Sequence, residues 1–139
     1  MADNRTTIYL GPPLLAALEG FANRSGRLNE LAERYAALIA EVTPALTKGE
    51  WCLICDILNA SMRTADLGRL LWAEIEDSEP DGVGPKWGVD VKPLAAKVRA
   101  MRTGERLAIL EVVDRFWAGP KDIPHRDMLD RAGARIAEG

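Results

Sequence analysis

The chain has little with which to do metal or redox chemistry. Among its 139 residues are two cysteines and one histidine. A structural zinc site takes about four ligands. Cys52, Cys55 and His125 are the only ordinary Cys or His donors, so no metal site is expected. Trp51-Cys52-Leu53-Ile54-Cys55 has the spacing of a redox W-C-x-x-C, but a redox pair needs an exposed, low-pKa thiolate and normally a βαβ setting. These two cysteines lie instead in the most apolar stretch of the chain and read as core thiols. There is no phosphate-cradling P-loop, no G-x-G-x-x-G after a strand and no H-E-x-x-H. His125 has no Ser or Cys nucleophile set beside it by any motif, and reads as a solvated or helix-capping residue. The carboxylates read as charged helix faces. No catalytic residue and no cofactor are expected, and the chain does not read as an enzyme.

Two further shortages narrow the class. No apolar run approaches the length of a membrane-spanning helix. Met1-Ala2-Asp3-Asn4-Arg5 is not the basic-then-apolar start of a secretory signal. A cytoplasmic protein without membrane contact is the expectation. Positive charge is also scarce. The formal net charge is −3, and residues 1–50 hold five basic against six acidic side chains. Strong non-specific DNA binding draws on many phosphate contacts, which this half cannot supply by charge alone. Apolar content of 47% is ordinary for a globular chain. No internal repeat or low-complexity tract is present.

What is there begins at residue 5. Arg5-Thr6-Thr7-Ile8-Tyr9-Leu10 alternates as a strand does. Thr6, Ile8 and Leu10 fall on one face, and Arg5, Thr7 and Tyr9 on the other. Pro12-Pro13-Leu14-Leu15 opens a helix at once, with proline where the first turn tolerates it. Leu14, Leu18 and Phe21 continue its apolar stripe to about Asn23. Ser25-Gly26 reads as a turn. Asn29 reads as the N-cap of a second helix running to about Val42, with Leu31, Tyr35, Leu38 and Val42 as its stripe. No strand is apparent downstream, and a lone strand leaves its backbone groups unpaired. Pairing with the same strand of a second copy satisfies them, and a two-stranded ribbon fits the DNA major groove.

That order of strand, G-P-P-L-L helix entry, S-G-R turn and N-E-L-A-E-R-Y helix start resembles the ribbon-helix-helix family of DNA-binding proteins, the MetJ/Arc-like repressors. The resemblance covers residues 5–42. It implies an obligate homodimer or higher homo-oligomer on double-stranded DNA. It implies base contacts from Arg5, Thr7 and Tyr9. It also implies phosphate contacts near the start of the second helix, from Arg27, Asn29 and Glu30.

The remainder reads as helices. Thr43-Pro44 ends the second helix, which places a boundary between a 1–44 dimerisation and DNA-binding module and a 45–139 helical domain for oligomerisation or partner binding. Thr47-Lys48-Gly49-Glu50 has capping-box spacing and starts an apolar helix to about Asn59. Thr64-Ala65-Asp66 starts another. Residues 76–88 read as a loop rich in acid, Pro and Gly, with Trp87 its most plausible surface anchor. Asp90 and Thr103 read as caps of two more helices, and Gly119-Pro120 stops the second of them. A last helix is expected over 124–137. Lys92, Lys97, Arg99, Arg102 and Arg106 are the one basic concentration, opposed only by Glu105 within 91–106. If one helix runs through Thr103-Gly104, Arg99, Arg102 and Arg106 share a face. They read as a solvated face, an auxiliary phosphate-contacting surface, or a socket for an acidic partner such as the loop at 76–81.

The fold expectation is thus mainly α: an N-terminal ribbon-helix-helix with one short strand paired across a dimer, then an all-helical domain. The functional expectation is a sequence-specific transcriptional regulator, a repressor acting as a dimer or higher oligomer. One alternative keeps DNA binding but serves an antitoxin, plasmid-partition adaptor or relaxosome accessory factor that grips a protein through residues 45–139. The other is an interaction module without DNA.

Overall fold

Thr47 Oγ1 accepts the Glu50 backbone N–H at 3.2 Å while the Glu50 carboxylate accepts that of Thr47 at 2.9 Å. This reciprocal box opens the helix around which the chain is built. The structure, a computed structural model, describes residues 10–58, 70–77 and 84–137. The described helices are α1 (Pro12–Leu18), α2 (Arg24–Glu41), α3 (Lys48–Ile57), α4 (Leu70–Glu76), α5 (Gly84–Trp87), α6 (Val91–Ala100), α7 (Thr103–Ala118) and α8 (His125–Arg131). The chain is mainly helical. No strand occurs among the described residues, where the only β pairing is an isolated parallel bridge between Thr47 and Ala137. Residues 5–9 of the expected strand lie outside the described residues.

The chain divides into two compact units, residues 1–37 and 38–139. In the first, α1 ends earlier than its apolar stripe suggested. Gly20 adopts a left-handed φ of +82°, which a side chain with Cβ rarely takes, and the chain turns there. The next helix then starts at Arg24, before the expected Asn29. Asn23 Oδ1 accepts the Gly26 N–H at 3.0 Å, so Asn23 caps α2. Ser25-Gly26 is its first turn, not a connection. Asn23 and Asn29 offer the same capping chemistry. The earlier one prevails because the turn at Gly20 has already released the chain.

In the second unit α3 is central. Residues Trp51 to Cys55 are all buried, because a helix apolar on most sides needs neighbours on most sides. It packs against α4, α5, α7 and α8, and α4 lies along α6. Val91, Leu94 and Val98 of α6 and Ile109, Val113 and Phe116 of α7 complete the core, with Met128 and Leu129 from α8. Three tryptophans tie the periphery to this core by their indole N–H groups. Trp117 donates to the carbonyls of Leu58 at 2.7 Å and Cys55 at 2.9 Å, which satisfies acceptors that a helix C-terminus leaves open. Trp51 donates to Arg135 O at 3.4 Å. Trp87 donates to Asp56.

Several boundaries differ from the sequence reading. Lys86 and Trp87 belong to a helical turn, α5, inside the segment read as loop. Trp87 packs against the core rather than standing as a surface anchor. Residues 78–83 of that segment, and residues 64–69 at the start of the expected fourth helix, lie outside the described residues. Asp90 does occupy the N-cap of α6. The last helix stops at Arg131 instead of reaching residue 137. Gly133 turns at φ +81°, and Ala137 N donates to Leu46 O at 3.3 Å, so the chain's last described stretch runs extended beside the entry to α3.

Candidate functional site

Arg5, Thr7 and Tyr9, the expected base-reading residues, lie outside the described residues. The three expected phosphate contacts are described. Arg27 is half-buried at the α1–α2 corner. Its Nε donates to Ala17 O at 3.4 Å, and its guanidinium sits 4.3 Å from the centroid of the Phe21 ring. Its Nη1 lies 3.5 Å from the Glu30 carboxylate. The side chain therefore holds the corner together, by a cation–π contact and by bonds to both helices. Asn29 and Glu30 are exposed on the second turn of α2. They are not at its start, which corrects their expected position. The first intrahelical bond runs from Arg27 N to Asn23 O at 3.0 Å. The open N–H groups of α2 thus belong to the residues before Arg27.

The basic run is similarly redistributed. α6 ends at Ala100 and α7 begins at Thr103, with Arg102 as N-cap. Arg99, Arg102 and Arg106 therefore do not share one helical face, because the chain forms two helices here, broken at Met101 and Arg102. Thr103 is the first residue of α7 rather than its cap. Lys97 pairs with Glu50 at 3.2 Å, on the same carboxylate that closes the capping box. Arg99 lies 4.8 Å over the Trp72 ring. Arg106 Nη1 donates to Arg99 O at 3.2 Å, capping the end of α6. Lys92 and Arg102 are exposed.

A polar cluster that sequence reasoning passed over sits at the end of α3. Asp56 Oδ2 accepts the Trp87 indole N–H at 2.6 Å and lies 3.7 Å from Lys86 Nζ. Its Oδ1 is 3.3 Å from His125 Nε2. A carboxylate in the last turn of a helix faces the negative end of the helix dipole. Three donors from α5 and α8 offset that. The His125 ring packs between Trp87 and Phe116, with centroids 5.1 and 5.4 Å away. His125 is thus a partner of Asp56 with 37% of its side chain exposed, and the N-cap of α8 is Pro124, not His125. One signal in the sequence could have found this. Asp56 is the only charged residue in the apolar run from Trp51 to Leu58, and such a carboxylate needs partners.

An aspartate orienting an imidazole is half of a general-base arrangement, so the neighbouring thiols matter. Cys52 and Cys55 are both buried and free. Burial pushes the Cys55 thiol up to about 12, with Cys52 and Asp56 adding to the rise. Burial also raises Cys52, against the opposing pull of Lys48, Lys86 and Arg126. Neither has the exposed thiolate that nucleophilic chemistry uses. Among the described residues no group of three or more His, Cys, Asp or Glu side chains converges as a metal site. The cluster's evident work is mechanical: it fastens α5 and α8 to the end of α3. Among the described residues, no helix is long and apolar enough to cross a membrane.

Comparison with protein-family models, with curated proteins and with solved structures found no match.

Proposed function

We propose that the chain is a dimeric, sequence-specific DNA-binding regulator whose N-terminal residues form a ribbon-helix-helix module. The observation that carries the dimer is the partly exposed apolar face of α2, on which Tyr35 and Leu38 remain 39% and 42% exposed. This helix of 18 residues buries none of its side chains in the single chain. Yet Leu28, Leu31, Tyr35, Leu38 and Val42 recur along it at alternating three- and four-residue steps, the spacing of a face that packs on another helix. Leu15 and Phe21 are also large and exposed. A second copy, paired through the Arg5–Leu10 strands, covers such a face. It sets Arg5, Thr7 and Tyr9 outward to the major groove, where arginine pairs with guanine edges. The N–H groups of Arg24 and Ser25, ahead of the Gly26 N–H that Asn23 already holds, then face the phosphates, as helix N-termini do. Repression follows from occupying a promoter.

The test combines two measurements. Sedimentation at low micromolar concentration reads the dimer, and selection of bound duplexes from a random pool reads DNA specificity. A stable folded monomer overturns the module. A dimer that enriches no sequence leaves the second reading, an interaction module without DNA. The net charge of −3 favours that second reading, as does the internal use of Arg27, Lys97, Arg99 and Arg106.

A further inference from the structure

Where α7 ends and α8 passes it, the surface opens into a pocket of about 290 Å³. Phe116 and Met128, 3% and 6% exposed, form its apolar wall. Pro120 and Ala132 extend that wall, and Arg115 and Arg131 also line the pocket, with no acidic residue among the lining. Arg115 is fixed along one edge, its Nε donating to Glu111 Oε1 at 2.8 Å one turn earlier on α7. No ion pair engages Arg131 among the described residues; the neighbouring pair on α8 is Arg126 with Asp130.

Two arginines line one hollow in a chain of net negative charge. Glu111 already meets the charge of Arg115, which leaves Arg131 as the cation there that an anion would pair with. A carboxylate fits, since the planar guanidinium fork matches its two oxygens. The apolar wall selects further: a ring or short alkyl chain covers the apolar lining that solvent reaches at Pro120 and Ala132, which a bare inorganic anion leaves to water. The volume of about 290 Å³ falls just below the range of about 300–1,000 Å³ typical of small-molecule sites, which keeps the occupant small.

We infer that this pocket binds a small organic carboxylate, its aromatic or alkyl body against the apolar wall and its carboxylate on Arg131. The inference does not rest on DNA binding. Occupancy also has a route to the rest of the unit. The Phe116 ring meets Trp117 edge-on at 5.4 Å and His125 at 5.4 Å, so the pocket wall is shared with the cluster at the end of α3.

Titration of the full chain with phenylacetate, read on the Met128 methyl and Trp117 indole resonances, tests this directly. Saturable shifts are expected. Phenylacetamide, the neutral analogue, is expected to bind at least about tenfold more weakly, as is phenylacetate to Arg131→Gln. Ala132→Phe, which fills the pocket, is expected to abolish the shifts. Arg131→Gln changes only an exposed side chain, so it decides the matter even if Ala132→Phe fails to fold. The proposal is overturned by equal binding of acid and amide, by an unchanged Arg131→Gln, by inorganic phosphate competing as well as phenylacetate, or by no saturable shift up to about 10 mM.

Discussion

His125 lies 3.3 Å from Asp56, 69 residues away in sequence, and the two close α8 onto the end of α3. Because Asp56 also accepts from Trp87, a single carboxylate anchors two otherwise separate segments.

Asp56→Ala should therefore cost more than an ordinary surface change. It strands the Trp87 indole N–H and removes the partner of His125. About 1–3 kcal/mol is expected, the usual cost of orphaning a buried donor. Asp56→Asn keeps an acceptor oxygen and should cost less. Urea unfolding of the three proteins measures both differences. Equal stability of Asp56→Ala and wild type would show that the cluster fastens nothing.

Trp117→Phe keeps an aromatic ring of smaller size but removes the donor that the carbonyls of Cys55 and Leu58 share. A loss of about 1–2 kcal/mol is expected, with faster amide exchange in the last turn of α3. Trp51→Phe, whose bond to Arg135 O is long at 3.4 Å, should lose less.

The raised Cys55 thiol makes stability fall at high pH. The unfolded thiol ionises near its ordinary value of 9.0, while the folded one stays protonated to about 12. The unfolded state alone then releases a proton between those limits. Stability conferred by burying the neutral thiol is complete below pH 9 and declines by about a kcal/mol or slightly more per pH unit up to 12. Cys55→Ala lacks this term. Its stability deficit at pH 8 should narrow as pH rises from 9 to 11, as followed by thermal melts of both proteins. A constant deficit would count against the shifted thiol.

Exposed apolar residues on α2 and in the turn before it give the association test. Phe21 and Tyr35 are exposed in the single chain, so Phe21→Glu with Tyr35→Glu should weaken the dimer at least tenfold by sedimentation. The melting of residues 38–139 should be little changed. If the wild type is dimeric and the double variant remains equally so, the interface lies elsewhere.

Arg5→Ala, at an expected base contact, and Arg27→Ala, at an expected phosphate contact, should behave differently from each other. Arg5→Ala is expected to cost about 1–3 kcal/mol on the preferred duplex and to relax its preference. Arg27→Ala removes the bond to Ala17 O and the contact with Phe21. Loss of helicity or lowered stability of the first unit should therefore accompany any loss of DNA affinity. Circular dichroism beside duplex titration at several salt concentrations separates the two effects.

The helical class, the capping box at Thr47 and Glu50, and the buried run from Trp51 to Cys55 were legible because they are local: spacing and apolarity determine them within a few residues. The α1–α2 turn was not, because Asn23 and Asn29 are equivalent as caps, and the choice depended on Gly20 turning left-handed. The break between α6 and α7 was legible at Thr103, though it lies just before that residue. Arg99, Arg102 and Arg106 have helical spacing, but Met101 and Arg102 are extended. The Asp56 cluster was the least visible part. Its members come from positions 56, 86, 87 and 125, and pairing across such separations follows from how helices pack.

The extended stretch beside α3 has a consequence in time. Leu46 receives its hydrogen bond from Ala137, and Trp51 donates across 84 residues to Arg135. The helix at the centre of the second unit is synthesised well ahead of Arg135 and Ala137, so its entry is finished only after some 84 further residues have followed. At about 5–20 residues per second, the apolar surface of α3 waits several seconds for its final neighbours. Over that interval the nascent chain presents Trp51 to whatever chaperone or misfolded contact is at hand.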